Sequence, residues 1–404
     1  MRWSAPCSNW PSHCGVRTAC RSEPEEARAA AGEDHRIPAS GLDRLLPSGS
    51  PHGLGDRDSH VGGTRAYIGS FTTAGGLGIT AATIDPESGA LGVLGSTAAL
   101  DNPSFLAPSP DGDFLYAVGE SEDGRAAAFR ATGTPDGVPA LIGTPVPVGG
   151  ASPTHLALAD RRLVVANYGS GSVSTLLLRP DGSLGDSAVL RHSGSGPDPD
   201  RQEGPHAHQV VPDPSGRLLL SVDLGTDTVR VCAFAGDELV VRHEVSLRPG
   251  SGPRHLAFHP DGRHVYVLNE LAATLTVCDW DPDSGTLTPR DELPVLAAGS
   301  TGDAYPSGIA VAPQGGFLWT AVRGKDVISV LALGEAGAAP RLVATVDCGG
   351  RWPRDLAVHP SGRFLYAANE HSGDVTWFTL DPATGVPARA GSVGVPAASC
   401  VVFC

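Results

Sequence analysis

The sequence predicts an all-β fold, a seven-bladed β-propeller of four-stranded antiparallel blades, and three observations support this prediction. Glycine and proline, 52 and 35 of 404 residues, favour many tight turns and disfavour a mainly helical protein. A pattern of two short apolar runs, separated by a turn of the Pro-Asp-Gly type, recurs on average every 49 residues. The chain ends on a single apolar run of the kind that its first repeat lacks.

Each repeat can be aligned on one position, usually a proline, that precedes the first apolar run. These anchor positions lie 44 to 54 residues apart and are Pro103, Pro153, Ala207, Pro253, Pro306, Pro353 and Ala397. The second run ends 16 residues after the anchor at Gly119, Asp223, Asn269, Val322 and Asn369, and 14 residues after it at Asn167. A period of roughly 40–50 residues with several short strands per unit is typical of propeller blades.

The repeat anchored at Pro253 shows how one blade is built. Its apolar runs predict four strands, over His255–His259, His264–Leu268, Thr274–Trp280 and Leu287–Leu293. Asp and Gly between these runs provide the Asx-type hydrogen bond and the positive φ of tight turns.

The two ends of the repeat array predict how the ring closes. The first repeat has only three predicted strands, Tyr67–Phe71, Gly78–Ile84 and Leu91–Thr97. Ala397–Phe403 resembles the missing inner strand, so we expect the C-terminal strand to complete the first blade and leave no free edge. The propeller domain is therefore predicted over 64–404.

Residues 1–63 differ from the rest of the chain because they show no sustained periodicity. We expect a disordered or low-complexity extension there, with a weak helix around Pro24–Ala31. No apolar segment follows Met1 in the manner of a secretory signal.

Composition excludes several classes of function. The net charge of −15 argues against nucleic-acid binding, and no run of 18 apolar residues could span a membrane. The eight cysteines form no C-x-x-C pair, so the sequence predicts no zinc or redox motif and suits a reducing cytoplasm. We expect a cytoplasmic protein, either a monomer or a weak homo-oligomer, whose partner is a small molecule.

Strand alternation brings the anchor regions and the ends of the second runs to one rim near the axis. Repeat positions that serve only the fold should carry the same residue type in every blade. The positions at this rim instead carry different residue types, most of which are polar. A ring of histidine, arginine and carboxylate around one end of the axis is a candidate site, although a solvated polar rim is the alternative. Its members include Ser104, Thr154, His155, His208, Arg254, His255, Ser307, Arg354 and Asp355 beside the anchors, and Glu120, Tyr168, Glu270, Arg323 and Glu370 at the run ends.

The residue types in this ring favour a particular chemistry. Arg254, Arg323 and Arg354 are permanent cations that bind carboxylate or phosphate, so an anionic small ligand is expected. His206 and Glu270 are candidate proton acceptors. No Gly-x-Ser-x-Gly motif supports a serine nucleophile. The histidines accompany arginines rather than clustered carboxylates, so we predict neither a metal nor a cofactor.

Seven short segments of the chain have distinctive sequences. They are Tyr67-Ile68-Gly69-Ser70-Phe71-Thr72, Ala166-Asn167-Tyr168-Gly169-Ser170-Gly171-Ser172, Gly204-Pro205-His206, Gly252-Pro253-Arg254-His255, Val267-Leu268-Asn269-Glu270, Trp352-Pro353-Arg354-Asp355 and Cys400-Val401-Val402-Phe403. These segments resemble those of the seven-bladed lactonase family, which contains propeller-type 6-phosphogluconolactonases and related carboxy-muconate cyclases. The resemblance covers about 65–404.

The resemblance implies hydrolysis of a lactone ring without a metal, with 6-phosphogluconolactone of the pentose phosphate pathway as the leading substrate. It implies that His206, Arg254, Glu270 and Arg323 are catalytic, with either His206 or Glu270 accepting the proton of water. The residues expected to bind substrate are His155, His208, His255, Asn269 and Arg354. Two alternatives stay open: a cycloisomerase acting on a muconate-like diacid, and a non-catalytic propeller that serves as a binding scaffold.

Overall fold

A computed structural model describes residues 65–334 and 337–404 of the protein, and these residues form seven separate four-stranded antiparallel sheets. This arrangement confirms the predicted seven-bladed propeller. The predicted extension at residues 1–63, with its weak helix, lies outside the described residues. Within the described ranges, no helix is both long enough and apolar enough to cross a membrane.

The strands are numbered β1–β28 in chain order, and the blades are numbered 1–7. Blade 1 contains β1 (Arg65–Ser70), β2 (Ile79–Ile84), β3 (Leu91–Thr97) and β28 (Ala398–Phe403). Blade 2 contains β4 (Pro103–Pro108), β5 (Phe114–Gly119), β6 (Arg125–Arg130) and β7 (Ala140–Pro147). Blade 3 contains β8 (Pro153–Ala159), β9 (Arg162–Asn167), β10 (Ser172–Leu178) and β11 (Leu184–Arg191). Blade 4 contains β12 (Ala207–Pro212), β13 (Leu219–Asp223), β14 (Thr228–Ala235) and β15 (Glu238–Ser246).

The remaining blades follow the same order from inner to outer strand. Blade 5 contains β16 (Pro253–Phe258), β17 (His264–Asn269), β18 (Thr274–Asp281) and β19 (Thr286–Pro294). Blade 6 contains β20 (Tyr305–Val311), β21 (Phe317–Arg323), β22 (Val327–Ala332) and β23 (Arg341–Asp347). Blade 7 contains β24 (Pro353–Val358), β25 (Phe364–Asn369), β26 (Asp374–Leu380) and β27 (Pro387–Gly394). Two short 3₁₀ turns, Thr72–Ala74 and Leu224–Thr226, follow the strands β1 and β13.

Ring closure occurs as the C-terminal run predicts. Strand β28 pairs with β1, so that Ile68 lies opposite Val401 and Gly69 opposite Cys400. The seam is packed like the interior of the ring, because Tyr366 of blade 7 joins Ile68 and Val401 in one buried apolar cluster. The hydroxyl of Tyr366 also donates to the carbonyl of Gly89 in blade 1, at 2.7 Å.

The register of the inner strands explains the repeat spacing. Each anchor pairs with the residue that ends the second run, as Pro253 does with Asn269 and Pro353 with Asn369. The seventh anchor was placed wrongly by one residue. Ala398, rather than Ala397, takes the paired position, opposite Ser70.

A β-bulge interrupts every inner strand at one end. In blade 5, Pro253 pairs with Asn269 and His255 with Leu268, so Arg254 is the extra residue. In five further blades the same register shift follows the first paired residue of the inner strand.

In blade 6 the shift follows the second paired residue, Pro306, and both Ser307 and Gly308 lie between the paired residues Pro306 and Ile309. Bulges redirect side chains and are common beside active sites. In blades 2–7 the unpaired residue that follows the anchor therefore lies in the ring that the sequence singles out, whereas in blade 1 the extra residue is Ser399.

Candidate active site at one end of the axis

Glu270 is the centre of a buried ionic cluster. It follows β17 directly, and only 5% of its surface is exposed. Its Oε2 accepts a hydrogen bond from Nη2 of Arg323 at 2.6 Å, and its Oε1 accepts one from Nη2 of Arg201 at 2.7 Å. Nε of Arg254 lies 3.2 Å from Oε2, close enough for an ion pair although outside hydrogen-bond geometry. Three arginines from blades 5 and 6 and the β11–β12 loop thus converge on one carboxylate.

This environment determines the charge of Glu270. Burial by itself would raise the pKa of the carboxyl group, but Arg323, Arg254 and Arg201 outweigh it and hold the pKa well below its usual range. Glu270 is therefore ionised at neutral pH and is a weak proton acceptor. Three guanidinium groups around a single carboxylate leave an excess of positive charge, in a chain whose net charge is −15.

Arg254 is enclosed by protein, although its repeat position predicts a place on the rim. It is 3% exposed, and its Nη1 donates to the backbone carbonyl of Ser307 at 2.5 Å. Burial, followed by repulsion from Arg323, lowers its pKa to about 9. Arg254 is still a cation at neutral pH, and its buried charge lowers the stability of the folded state.

His206 lies beside this cluster and is held by its neighbours. Its ring stacks on Tyr168 with 4.4 Å between the centroids, and its Nδ1 lies 2.9 Å from the backbone carbonyl of Tyr168. A carbonyl can only accept, so Nδ1 carries a proton. Nε2 lies 3.2 Å from Oε1 of the exposed Glu203. The backbone N–H of His206 donates to Asp223 at 2.8 Å, and the hydroxyl of Tyr168 contacts Arg201 at 3.4 Å.

Three further histidines form a buried group around the axis. The ring centroid of His255 is 5.5 Å from that of His155 and 5.1 Å from that of His208. Burial, followed by the charge of Arg254, lowers the pKa of His155 to about 3 and those of the other two well below the ordinary value. All three are therefore neutral at physiological pH. The adjacent guanidinium also disfavours a metal cation here.

Arg354 does not join the arginines around Glu270. It lies 3.3 Å from Glu120 and 3.4 Å from Glu370, with its guanidinium carbon 4.7 Å from the centre of the Phe71 ring. Burial would lower its pKa, but these carboxylates raise it. Arg354 is thus more fully neutralised than the three arginines that share Glu270.

Asn269 bonds within its own blade. Its side chain is buried, and its Nδ2 donates to Thr274 at 3.0 Å and to Thr276 at 2.9 Å. Asn167 and Asn369 make equivalent bonds to strands β10 and β26. Contact between Asn269 and a substrate remains a prediction.

Sequence reasoning missed Arg201, which is absent from every candidate set above. It lies in the connection between β11 and β12, residues 192–206, which contains no regular secondary structure. Connections of this length are uncommon in compact domains and are often functional, so the length itself was a usable signal. Gln202 anchors the loop beside Arg201, because its Nε2 donates to Asp227 and to the carbonyl of Leu224 at 2.8 Å each.

Comparison with known proteins shows the family of the chain. The family described as "Lactonase, 7-bladed beta-propeller" matches residues 65–403. The chain belongs to this family. A lactonase is a hydrolase that acts on a lactone ester, so the interpretation as a non-catalytic scaffold is not retained.

Relatives of this lactonase cover nearly the whole propeller. A 6-phosphogluconolactonase of Bacillus subtilis is 30% identical over 342 residues, which are 83% of this chain and 97% of the relative. The crystal structure of a putative 6-phosphogluconolactonase from Bacteroides fragilis superposes with a TM-score of 0.79 at 28% identity, covering 86% of this chain and 100% of the other. The periplasmic gluconolactonase PpgL of Pseudomonas aeruginosa has a TM-score of 0.79 at 32% identity, covering 84% and 98% of the two chains.

Proposed function

We propose that this lactonase hydrolyses an anionic sugar lactone, with 6-phosphogluconolactone as the first candidate and 6-phosphogluconate as its product. The observation that carries the proposal is the convergence of Arg201, Arg254 and Arg323 on the single carboxylate of Glu270. Their excess positive charge suits a phosphorylated or carboxylated ligand. Relatives named 6-phosphogluconolactonase support the same substrate and, through it, a role in the pentose phosphate pathway.

In this proposal, His206 is the general base. A water molecule takes the place of Glu203 beside Nε2 of His206 and attacks the lactone carbonyl carbon, while Nε2 takes its proton. Arg254 and Arg323 stabilise the negative charge that develops on the carbonyl oxygen. The bond from the carbonyl carbon to the ring oxygen then breaks, and the ring oxygen receives the proton from His206. One water is consumed, and a carboxylic acid and a hydroxyl group are formed.

Glu270 has a different role in the proposal. The sequence leaves open whether His206 or Glu270 accepts the proton. A carboxylate whose pKa is held low by three arginines is a poor base, and its two oxygens are occupied by Arg201 and Arg323. Glu270 is therefore assigned the task of fixing the guanidinium groups in place.

The other residues around the axis are assigned to substrate binding. The neutral rings of His155, His208 and His255 suit the uncharged hydroxyl groups of a sugar, since a neutral imidazole both donates and accepts hydrogen bonds. The side chain of Arg201 is 35% exposed, so this group is proposed to reach the phosphate of the incoming substrate.

The test is a rate comparison across 6-phosphogluconolactone, its unphosphorylated counterpart gluconolactone, and a muconate with the matching muconolactone. Each rate is corrected for spontaneous opening of the lactone. We expect the highest kcat/KM with the phosphorylated lactone, chiefly through a lower KM. Equal kcat/KM for both sugar lactones would refute the anion-binding role, and conversion between the muconate and its lactone alone would establish the cycloisomerase instead.

The setting of the enzyme is also part of the proposal. We infer a functional unit at 64–404, a cytoplasmic location, and a monomer or weak homo-oligomer. The five cysteines within the described residues are unpaired, which suits a reducing compartment. Because one relative is a periplasmic enzyme, cell fractionation is the deciding measurement for location. Light scattering on the purified chain decides the oligomeric state.

A further inference from the structure

A second cluster of titratable side chains lies at the opposite end of blade 5, at the turn between β16 and β17. Nδ1 of His259 is 3.0 Å from Oδ1 of Asp261, and Nδ1 of His264 is 2.9 Å from Oδ2 of the same carboxylate. One potential ligand atom from each residue lies within 4.8 Å of the other two. The side chains are partly enclosed, with 9%, 25% and 14% of His259, Asp261 and His264 exposed.

The hydrogen bonds of His259 fix which of its nitrogens is basic. Nε2 lies 3.0 Å from the backbone carbonyl of Gly315 in blade 6, so Nε2 is the donor and Nδ1 of the neutral ring keeps its lone pair. That lone pair accepts a hydrogen bond from the backbone N–H of Asp261 at 3.2 Å and lies 3.0 Å from Oδ1 of the same residue, so a cation bound between Nδ1 and Oδ1 would replace one long backbone contact. Metal-binding histidines commonly donate their second nitrogen to a carbonyl in this way.

His264 has a comparable environment. Its Nδ1 faces Asp261, and its Nε2 lies 4.0 Å from Oδ1 of Asp279 on strand β18. When Nδ1 binds a metal, the proton of the neutral ring resides on Nε2, where the charge of Asp279 favours it. Asp279 also pairs with Arg290, so it is already held in place.

The equivalent turn of blade 7 shows that folding of the turn does not require this cluster. His359 and Ser361 occupy the positions of His259 and Asp261, and Phe364 that of His264. Both turns close alike, with glycine N–H to histidine carbonyl distances of 2.9 Å in blade 5 and 2.8 Å in blade 7. The carboxylate and the second imidazole of blade 5 therefore have no counterpart in the turn that folds without them.

We propose that His259, Asp261 and His264 bind a divalent transition-metal cation, with zinc as the reference ion and water completing the coordination. Two imidazole nitrogens and one carboxylate oxygen suit zinc and its neighbours, whereas calcium and magnesium prefer oxygen ligands throughout. The bound ion joins the turn to the start of β17 and, through Gly315, to blade 6. This site lies at the opposite end of the blades from Glu270 and does not depend on the proposed lactone hydrolysis.

The experiment is a calorimetric titration of the full chain with zinc chloride, read together with the change in Tm. His264→Phe copies blade 7 and removes one ligand, and Asp261→Ser copies the same turn independently. His243→Gln is the matched control, because His243 is an exposed histidine outside the cluster. The chain contains other cysteines and histidines, so the relevant quantity is the difference in stoichiometry between variants.

We expect the wild type and His243→Gln to bind one more equivalent of zinc than His264→Phe and Asp261→Ser. At a zinc concentration about 100 times Kd, Tm should rise by roughly 3 °C in the first pair only. Cobalt(II) should show d–d absorption without thiolate charge transfer in the wild type, and this signal should be lost in His264→Phe. Equal stoichiometry and equal Tm shifts in all four proteins would overturn the proposal.

Discussion

Replacement of Arg254 by alanine separates a catalytic role of the axial cluster from a structural one. Arg254 is buried, approaches Glu270 at 3.2 Å, and donates to Ser307. If it stabilises the carbonyl oxygen in the transition state, its loss should lower kcat by about 10²–10³, or roughly 3–4 kcal/mol. Glu270 keeps Arg201 and Arg323 in the variant, so no carboxylate is left without a partner.

The effect of Arg254→Ala on stability follows from its pKa. Burial and Arg323 lower that pKa from 12.5 to about 9, so the unfolded chain binds the proton more tightly than the folded protein does. A protonated Arg254 therefore destabilises the folded state at any pH below about 9. At roughly 1.4 kcal/mol per pKa unit, this destabilisation amounts to several kcal/mol. It decreases as the pH rises from about 9 and disappears towards pH 12.5. Removing the charge offsets the lost packing and the lost hydrogen bond, and we expect Tm to stay within a few degrees of the wild type.

The assay is steady-state hydrolysis of 6-phosphogluconolactone, with thermal melting measured on the same preparations. Arg254→Lys should also be impaired, because an ammonium group cannot reproduce the planar guanidinium. The control is Arg248→Ala, which removes an exposed ion pair with Glu292 and should leave both kcat and Tm almost unchanged. An Arg254→Ala enzyme with normal kcat and a strongly lowered Tm would show that Arg254 serves the fold and not the reaction.

The other predictions concern the base, the central carboxylate and the two ends of the chain. His206→Gln should lower kcat by about 10²–10⁴ at neutral pH, and an unchanged kcat would exclude His206 as the base. Glu270→Gln leaves three arginines without their carboxylate and should cost about 3–5 kcal/mol in urea unfolding at neutral pH. Because the pKa of Glu270 is lowered in the folded state, this difference should be constant above its ordinary value of 4.5 and shrink as the pH falls below it. Deletion of 398–404 removes β28 and should abolish cooperative melting, whereas a normal melt would mean that blade 1 is stable without its inner strand. Deletion of 1–63 should preserve both Tm and kcat, since all seven sheets lie after residue 64, and a large loss of either would contradict this.

The fold could be predicted from the sequence because its constraints are local and repeated. The anchors and the ends of the second runs are hydrogen-bonded neighbours in the sheets, so their constant spacing reports a hairpin of fixed length. The one misplaced anchor is in blade 1, whose inner and second strands come from opposite ends of the chain. These two strands are not joined by a hairpin, so no constant spacing along the sequence reports how they pair. The register between β28 and β1 is set only when the ring closes.

The site could be predicted only in part, because its contacts cross between blades. Repeat position indicated that Arg254, Glu270 and Arg323 share one rim, and the structure brings them together. Arg201 belongs to no repeat position, so periodicity gave no information about it. Arg354 has the same repeat position as Arg254, yet it meets Glu120 and Glu370, because its partners are set by the neighbouring blades.

The bulge in every inner strand has a consequence for how this scaffold can be changed. A substitution at the extra residue leaves the pairing of the flanking residues intact, since that residue has no partner of its own in the second strand. The natural sequence already places serine, threonine, histidine and arginine at this position in different blades. Outside blade 5, where Arg254 is assigned to the reaction, these positions can therefore be substituted one blade at a time, and a combinatorial library restricted to them would sample new lactone preferences on an unchanged ring.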